Sequence, residues 1–209
     1  NGLTNLRINK KKFIYLISPN KIYPEFYQDL KKVLHTGKVA LFQLRLKKYS
    51  LKQKIEIGKK IQRICRKNNV KFIVNDDPIL SKTLNADGCH LGQKDMDIKN
   101  ARKIIGNKII GVTCHNSIKL AKAAIKENAD YIAFGAFFST TTKKVKFKAD
   151  IKILNKIKKL TKTPIVAIGG INFDNYKKLL LNNANLLAIS SYVWNNKKYK
   201  PLETIEKLK

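Results

Sequence analysis

Seven small groups of polar residues stand directly after apolar runs in this chain, and their side chains could do chemistry together. They are Gln43, Arg45 and Lys47; Asn75, Asp76 and Asp77; His90, Gln93 and Asp95; Thr113, Cys114 and His115; Thr140, Thr142 and Lys143; Gly169 and Gly170; and Ser190 and Ser191. Cations, hydroxyls, glycines and carboxylates in company describe a site for phosphate together with a divalent metal. Arg45, Lys47 and Lys143 are suited to neutralise phosphate oxygens, the hydroxyls of Thr113, Thr140 and Thr142 to donate to them, and Gly170 to let backbone N–H groups approach closely. Asp76 and Asp95 offer the hard oxygen ligands that Mg²⁺ prefers, with water and pyrophosphate filling the remaining positions.

Each group also has a plainer reading. Asp77 precedes Pro78 and suits a helix N-cap, and Asp97 can cap the helix that follows it. Once those two are assigned, Asp76 and Asp95 are left without a structural duty. In "QLRLK" the period of two puts Gln43, Arg45 and Lys47 on one side of a strand and Leu44 and Leu46 on the other. Three inward polar groups are costly unless they meet a ligand or a partner. "STTTKK", at the end of the apolar run Tyr131 to Phe138, is by itself as suited to a solvated turn as to an anion, and "AIGGI" is specific only beside the other groups. Ser190 and Ser191 fit a helix cap or a phosphate; His90 and His115 fit satisfied polar groups, with a catalytic part for His115 as the weaker reading. Cys65, Cys89 and Cys114 read as filler.

The elements that must position these groups are legible as a repeating beat. Apolar runs such as "FIYLI", "ALFQLR", "FIVN", "GCHL", "IIGV", "PIVAIGG" and "LLAISSYV" alternate with segments of helical spacing. In "SLKQKIEIGKKIQRICRK" the residues Leu51, Ile55, Gly58, Ile61 and Cys65 fall near one face, with Ser50 as cap. In "NSIKLAKAAIKEN" the inward set is Ile118, Ala121 and Ile125, with Asn116 or Ser117 as cap. Strands that are continuously apolar imply burial on both faces, hence a parallel sheet with helices outside. Eight units in 209 residues are about 26 residues each, which suits a small (β/α)₈ TIM barrel, an α/β fold whose chemistry sits at the carboxyl ends of the strands. The competing open, doubly wound sheet lacks support, because no G-x-G-x-x-G follows the first strand.

Bulk properties narrow the class. The length predicts one domain over 1–209, with 1–12 as a basic lead-in that nothing in the sequence obliges to be ordered. No run of eighteen or more apolar residues occurs and the start lacks a secretory pattern, so a soluble, cytoplasmic protein without a membrane partner is expected. Three widely spaced cysteines give neither a disulfide framework nor a zinc site. The net charge of +30 would ordinarily raise nucleic acid as a partner, but 39 of the 44 basic residues are Lys and they are spread along the chain. That pattern reads as compositional bias, and no specific nucleic-acid partner is expected.

With these residues in hand, the sequence resembles the thiamine-phosphate synthase family from "IYLIS" to "SSYVW". "FQLRLK", "VNDD", "GCHLGQKDM", "GVTCH", "GAFFSTTTKK", "AIGGI" and "AISS" look like seven family motifs in the family's order. The resemblance implies a transferase that condenses the diphosphate of 4-amino-2-methyl-5-hydroxymethylpyrimidine with a thiazole phosphate, giving thiamine monophosphate and pyrophosphate with Mg²⁺. It implies that Gln43, Arg45, Lys47, Asn75, Thr113 and Lys143 bind the pyrimidine diphosphate. Asp76 and Asp95 would bind Mg²⁺, and Thr140, Thr142, Gly170, Ile189 and Ser190 would hold the thiazole phosphate. Arg45, Lys47, Lys143 and Thr113 would carry the catalytic burden, and a homodimer is an expectation from the family alone. Leu46 stands where the family often has Glu, Ala136 and Ser139 replace frequent prolines, and "NNANLLAIS" lacks the usual G-A-D-G pattern. The rivals are a thiazole tautomerase of the same fold, which needs no carboxylate pair, and a basic nucleic-acid-binding protein.

Overall fold

The computed structural model describes residues 6–139 and 148–209, so Thr140, Thr142 and Lys143 lie outside the described residues. Eight strands, β1 (Ile14–Ile17), β2 (Val39–Leu44), β3 (Lys71–Asn75), β4 (Gly88–Leu91), β5 (Ile109–Thr113), β6 (Tyr131–Phe134), β7 (Ile165–Ile168) and β8 (Leu186–Ile189), pair in chain order. Every pair is parallel, and β8 returns to β1 to close the barrel. Between and after them run α1 (Phe26–His35), α2 (Leu51–Lys67), α3 (Pro78–Thr83), α4 (Ile98–Ile105), α5 (Ile118–Lys126), α6 (Lys152–Lys158), α7 (Tyr176–Leu181), α8 (Ser191–Trp194) and α9 (Pro201–Glu206). The expected (β/α)₈ barrel is the observed fold.

The strands are apolar throughout because each is buried twice. On β1, Ile14 and Leu16 join the layer between barrel and helices, while Tyr15 and Ile17 fill the lumen. On β6, Ile132 and Phe134 face the helices and Tyr131 and Ala133 face inward. That alternation is the strand's period of two. Leu6 and Ile8 of the lead-in also pack with the lumen cluster, so its described part contributes to the interior. At the amino ends of the strands, Asp130 accepts from the Ile110 N–H at 2.8 Å and from Arg102 at 2.7 Å, a buried lock on the face opposite the predicted site.

Local signals set the helix starts. Ser50 accepts from the Gln53 N–H while the Gln53 side chain accepts from the Ser50 N–H, a reciprocal capping box on α2. Asp77 caps α3 through the Leu80 N–H at 3.0 Å, and Asp97 caps α4 through the Asn100 N–H at 2.8 Å. Of the two candidates before α5 the cap is Ser117, and the Asn116 amide oxygen instead accepts from the Asp150 N–H. Two readings need correction. Leu51 is 62% exposed; Ile55 packs partly buried against the core, and full burial on α2 begins at Gly58. The apolar run to Phe138 is also not all strand: β6 stops at Phe134, and Phe137 and Phe138 donate backbone hydrogen bonds to Ile168 and Gly169, both at 3.1 Å. Among the described residues no helix is long and apolar enough to cross a membrane.

Candidate active site

The predicted residues that the structure describes converge at the carboxyl ends of the strands. Gln43 lies in β2 and is buried, whereas β2 ends at Leu44, so Arg45 and Lys47 leave from the loop rather than from one side of a strand. Leu44 and Leu46 remain in the outer apolar layer. The Arg45 backbone is held by β1: its N–H donates to the Ser18 hydroxyl at 2.8 Å, and that hydroxyl donates back to the Arg45 carbonyl. Lys47, Asn75, Asp76 and Asp77 line an open cleft of about 500 Å³ together with Leu44, Leu46, Lys54 and Leu80.

Asp76 is bent out of the strand direction by a left-handed backbone, φ 66°, which aspartate tolerates better than most residues. Its N–H donates to the His90 carbonyl at 2.7 Å. The carboxyl meets that of Asp95 from the neighbouring loop. Partial burial, a hydrogen bond with Asp95 and the Asp95 charge push the Asp76 carboxyl up to about 6, against the pull of Lys47 and Arg45. Asp95 has a structural duty that the sequence did not reveal: its Oδ2 accepts from the Gly92 N–H at 2.7 Å. Two carboxyls in contact need either a proton or a cation between them. The donors are hard oxygens, and a cation held by two carboxylates and completed by water and phosphate oxygens is the arrangement Mg²⁺ favours. The residues present therefore fit that ion. Among the described residues no three His, Cys, Asp or Glu side chains are grouped as a denser metal cluster.

Thr113 ends β5. Its hydroxyl meets His90 Nε2 at 2.7 Å, and its carbonyl accepts from Gln93 Nε2 at 2.7 Å. His90 is buried and desolvation lowers its pKa to about 4. Cys114 is buried as well, its thiol pushed up to about 12, in keeping with a filler role. His115 adopts φ 52° and its carbonyl accepts from the Gly135 N–H.

On the far side of the mouth Gly170 has φ 62°, and a Cβ there would stand 2.6 Å from the Phe138 carbonyl oxygen. The glycines after β7 are thus pressed against Ala136 to Phe138, within the described part of the chain that follows β6. Ile189 ends β8 with its side chain in the outer layer, leaving its backbone for the mouth. Ser190 does not cap α8 with its side chain; its hydroxyl donates to the Ser18 carbonyl at 3.3 Å. Among the described residues the ion pairs are Lys99–Glu127 and Arg102–Asp130, and neither involves Arg45 or Lys47.

Sequence reasoning missed Tyr15 and Tyr131, whose hydroxyls meet at 2.7 Å inside the lumen between Gln43 and His90. The available signal was a phenol at an inward position of two otherwise apolar strands.

The chain is similar in sequence and fold to known proteins. The family described as thiamine monophosphate synthase matches residues 14–193. A thiamine-phosphate synthase of Pelagibacter ubique is 67% identical over 205 residues, spanning 97% of this chain and 98% of that protein. One from Erythrobacter litoralis is 42% identical, spanning 87% of each. The solved thiamine phosphate pyrophosphorylase of Pyrococcus furiosus superposes with a TM-score of 0.84 at 31% identity, over 95% of this chain and 94% of that one.

Proposed function

The chain belongs to the thiamine monophosphate synthase family, with the transferase activity of a thiamine-phosphate synthase, and from that premise we propose how its barrel mouth performs the reaction. The substrates are the pyrimidine diphosphate and a thiazole phosphate. The observation that carries the reading is the contact between Asp76 and Asp95, flanked by the charges of Arg45 and Lys47. A thiazole isomerase has no need of such a pair.

The reaction breaks the bond between the pyrimidine methylene carbon and the diphosphate oxygen, the electron pair leaving with the oxygen. The thiazole nitrogen then gives its lone pair to that carbon, so one C–O bond is exchanged for one C–N bond without a net proton transfer. Asp76 and Asp95 would hold Mg²⁺, which when bound would neutralise charge on the departing pyrophosphate. Arg45, Lys47 and Lys143 meet the negative charge that grows on the leaving oxygens, and Thr113 donates a hydrogen bond to it. Such groups act where the transition state differs from the ground state, which is what accelerates chemistry. Gln43 and Asn75 hold the pyrimidine end. Thr140, Thr142, Gly170 and the backbone of Ile189 and Ser190 hold the thiazole phosphate, so the nucleophile is delivered already oriented. Little acid or base work is asked of the protein, and the buried His90 and inert Cys114 accord with that.

Pyrophosphate release from the purified protein, with each heterocycle and Mg²⁺ withheld in turn, tests the proposal. Release that requires all three supports it. Conversion of a thiazole alone, or release from the pyrimidine diphosphate without regard to the metal, would overturn it.

A further inference from the structure

We propose that Tyr15, Tyr131 and His90 form a directed hydrogen-bond chain that holds the Thr113 hydroxyl as a proton donor toward the barrel mouth, which makes these three positioning residues for the diphosphate. The inference rests on the reading that Thr113 meets the diphosphate.

Five side chains from five strands are linked in series. Gln43 Nε2 donates to the Tyr15 hydroxyl at 3.0 Å, the two tyrosine hydroxyls meet at 2.7 Å, Tyr131 meets His90 Nδ1 at 2.6 Å, and His90 Nε2 meets Thr113 Oγ1 at 2.7 Å. Tyr15, Tyr131 and His90 are buried, so a hydroxyl proton left without an acceptor would be costly. That requirement, with the Gln43 amide N–H as the donor at the head of the chain, sets the direction. Each phenol has one proton. Since the Tyr15 oxygen receives the Gln43 N–H, its own proton goes to Tyr131; the Tyr131 proton then goes to Nδ1. His90 must therefore carry its proton on Nε2 and donate it to Thr113. Thr113 accepts there, and its own proton is left for the mouth. A doubly protonated ring would donate into Tyr131, turn that proton back on Tyr15 and strand one phenol proton in the core.

The opposite direction is a distinct state. It needs the Gln43 amide turned over, and it leaves Thr113 with only lone pairs for an incoming ligand. An anion at the mouth favours the donor arrangement. The lumen is built around the chain rather than merely tolerating it. His90 stacks on the Tyr131 ring with centroids 5.6 Å apart, and Tyr15 meets the same ring edge-on. A Cβ on Gly111 would stand 1.8 Å from Tyr131 Cζ, so only glycine in β5 admits that ring.

Nitrogen-15 NMR of the full chain labelled at histidine tests the direction without reference to activity, a His90→Asn variant identifying the ring. The expected signature is a proton on Nε2 and none on Nδ1, in the protein alone and with Mg²⁺ and inorganic pyrophosphate added. A proton on Nδ1, or on both nitrogens, overturns the proposal. Kinetics add a second arm. Tyr131→Phe is expected to lower kcat/KM about tenfold, the worth of one well-placed hydrogen bond, but by less than about twofold when Thr113 is already Val. Equal losses in the two backgrounds would contradict action through Thr113. Should Tyr131→Phe fail to fold, the spectrum of the unaltered protein still decides. If that protein releases no pyrophosphate, the functional reading fails, while the ring signature continues to report on the chain.

Discussion

Asp76 carries the sharpest consequences at the scale of a single residue. It adopts a left-handed backbone and brings its carboxyl against that of Asp95, an arrangement with a cost in the absence of a cation. Asp76→Asn removes the repulsion together with half of the proposed metal site. The expected result is a Mg²⁺ requirement for pyrophosphate release raised by about tenfold or more, the scale of a lost charged ligand contact, with metal-free thermal stability unchanged or higher. Asp95→Asn should behave likewise in a magnesium titration, with some loss of stability from its weaker hold on the Gly92 N–H. The pH dependence follows in sign. In the fold the Asp76 proton is held up to about 6, above its ordinary range near 3.8, so the folded state binds more protons than the unfolded chain between those values. Metal-free stability should therefore fall as pH rises through that window. Mg²⁺ competes with the same proton, so the rise in melting temperature on adding it should be full at neutral pH and fade as pH drops below about 6.

The element scale separates structural carboxylates from chemical ones. Asp77 caps α3 one residue away from Asp76, and Asp77→Ala should cost about 1 kcal/mol in denaturant melts without altering the magnesium requirement. Such caps were legible in the sequence because a cap is a local matter of an acidic or hydroxyl residue before a helical run. Other features were not, because barrel closure makes them. Phe137 and Phe138, just after β6, are held by hydrogen bonds to Ile168 and Gly169, some thirty residues further along. The tyrosine pair joins β1 to β6 across the lumen, a contact no local pattern encodes. Leu51 fits the helical face by periodicity yet is exposed, since periodicity cannot say where a helix leaves the barrel wall. Gly170 tests the loop packing. An alanine there meets both a left-handed backbone, worth about 1–2 kcal/mol, and the Phe138 carbonyl. Gly170→Ala should raise KM for the thiazole phosphate more than KM for the pyrimidine diphosphate in steady-state assays.

The whole molecule works as a frame that brings distant loops to one rim. Continuous apolarity of the strands made the parallel barrel readable, and the barrel in turn told which polar residues share an end. What the frame gathers is a carboxylate pair from the loops after β3 and β4, cations after β2, a hydroxyl at the end of β5 and glycines after β7. The charge of +30 is spread over lysines along the chain, and the function argued for the mouth depends on the few cations gathered there rather than on the total. The most direct measurement is a crystal structure of the protein soaked with Mg²⁺ and inorganic pyrophosphate. The ion is expected on Asp76 and Asp95 and the anion against Arg45, Lys47 and Thr113. Well-ordered density with both ligands absent from those residues, or bound at some other face of the barrel, would contradict it.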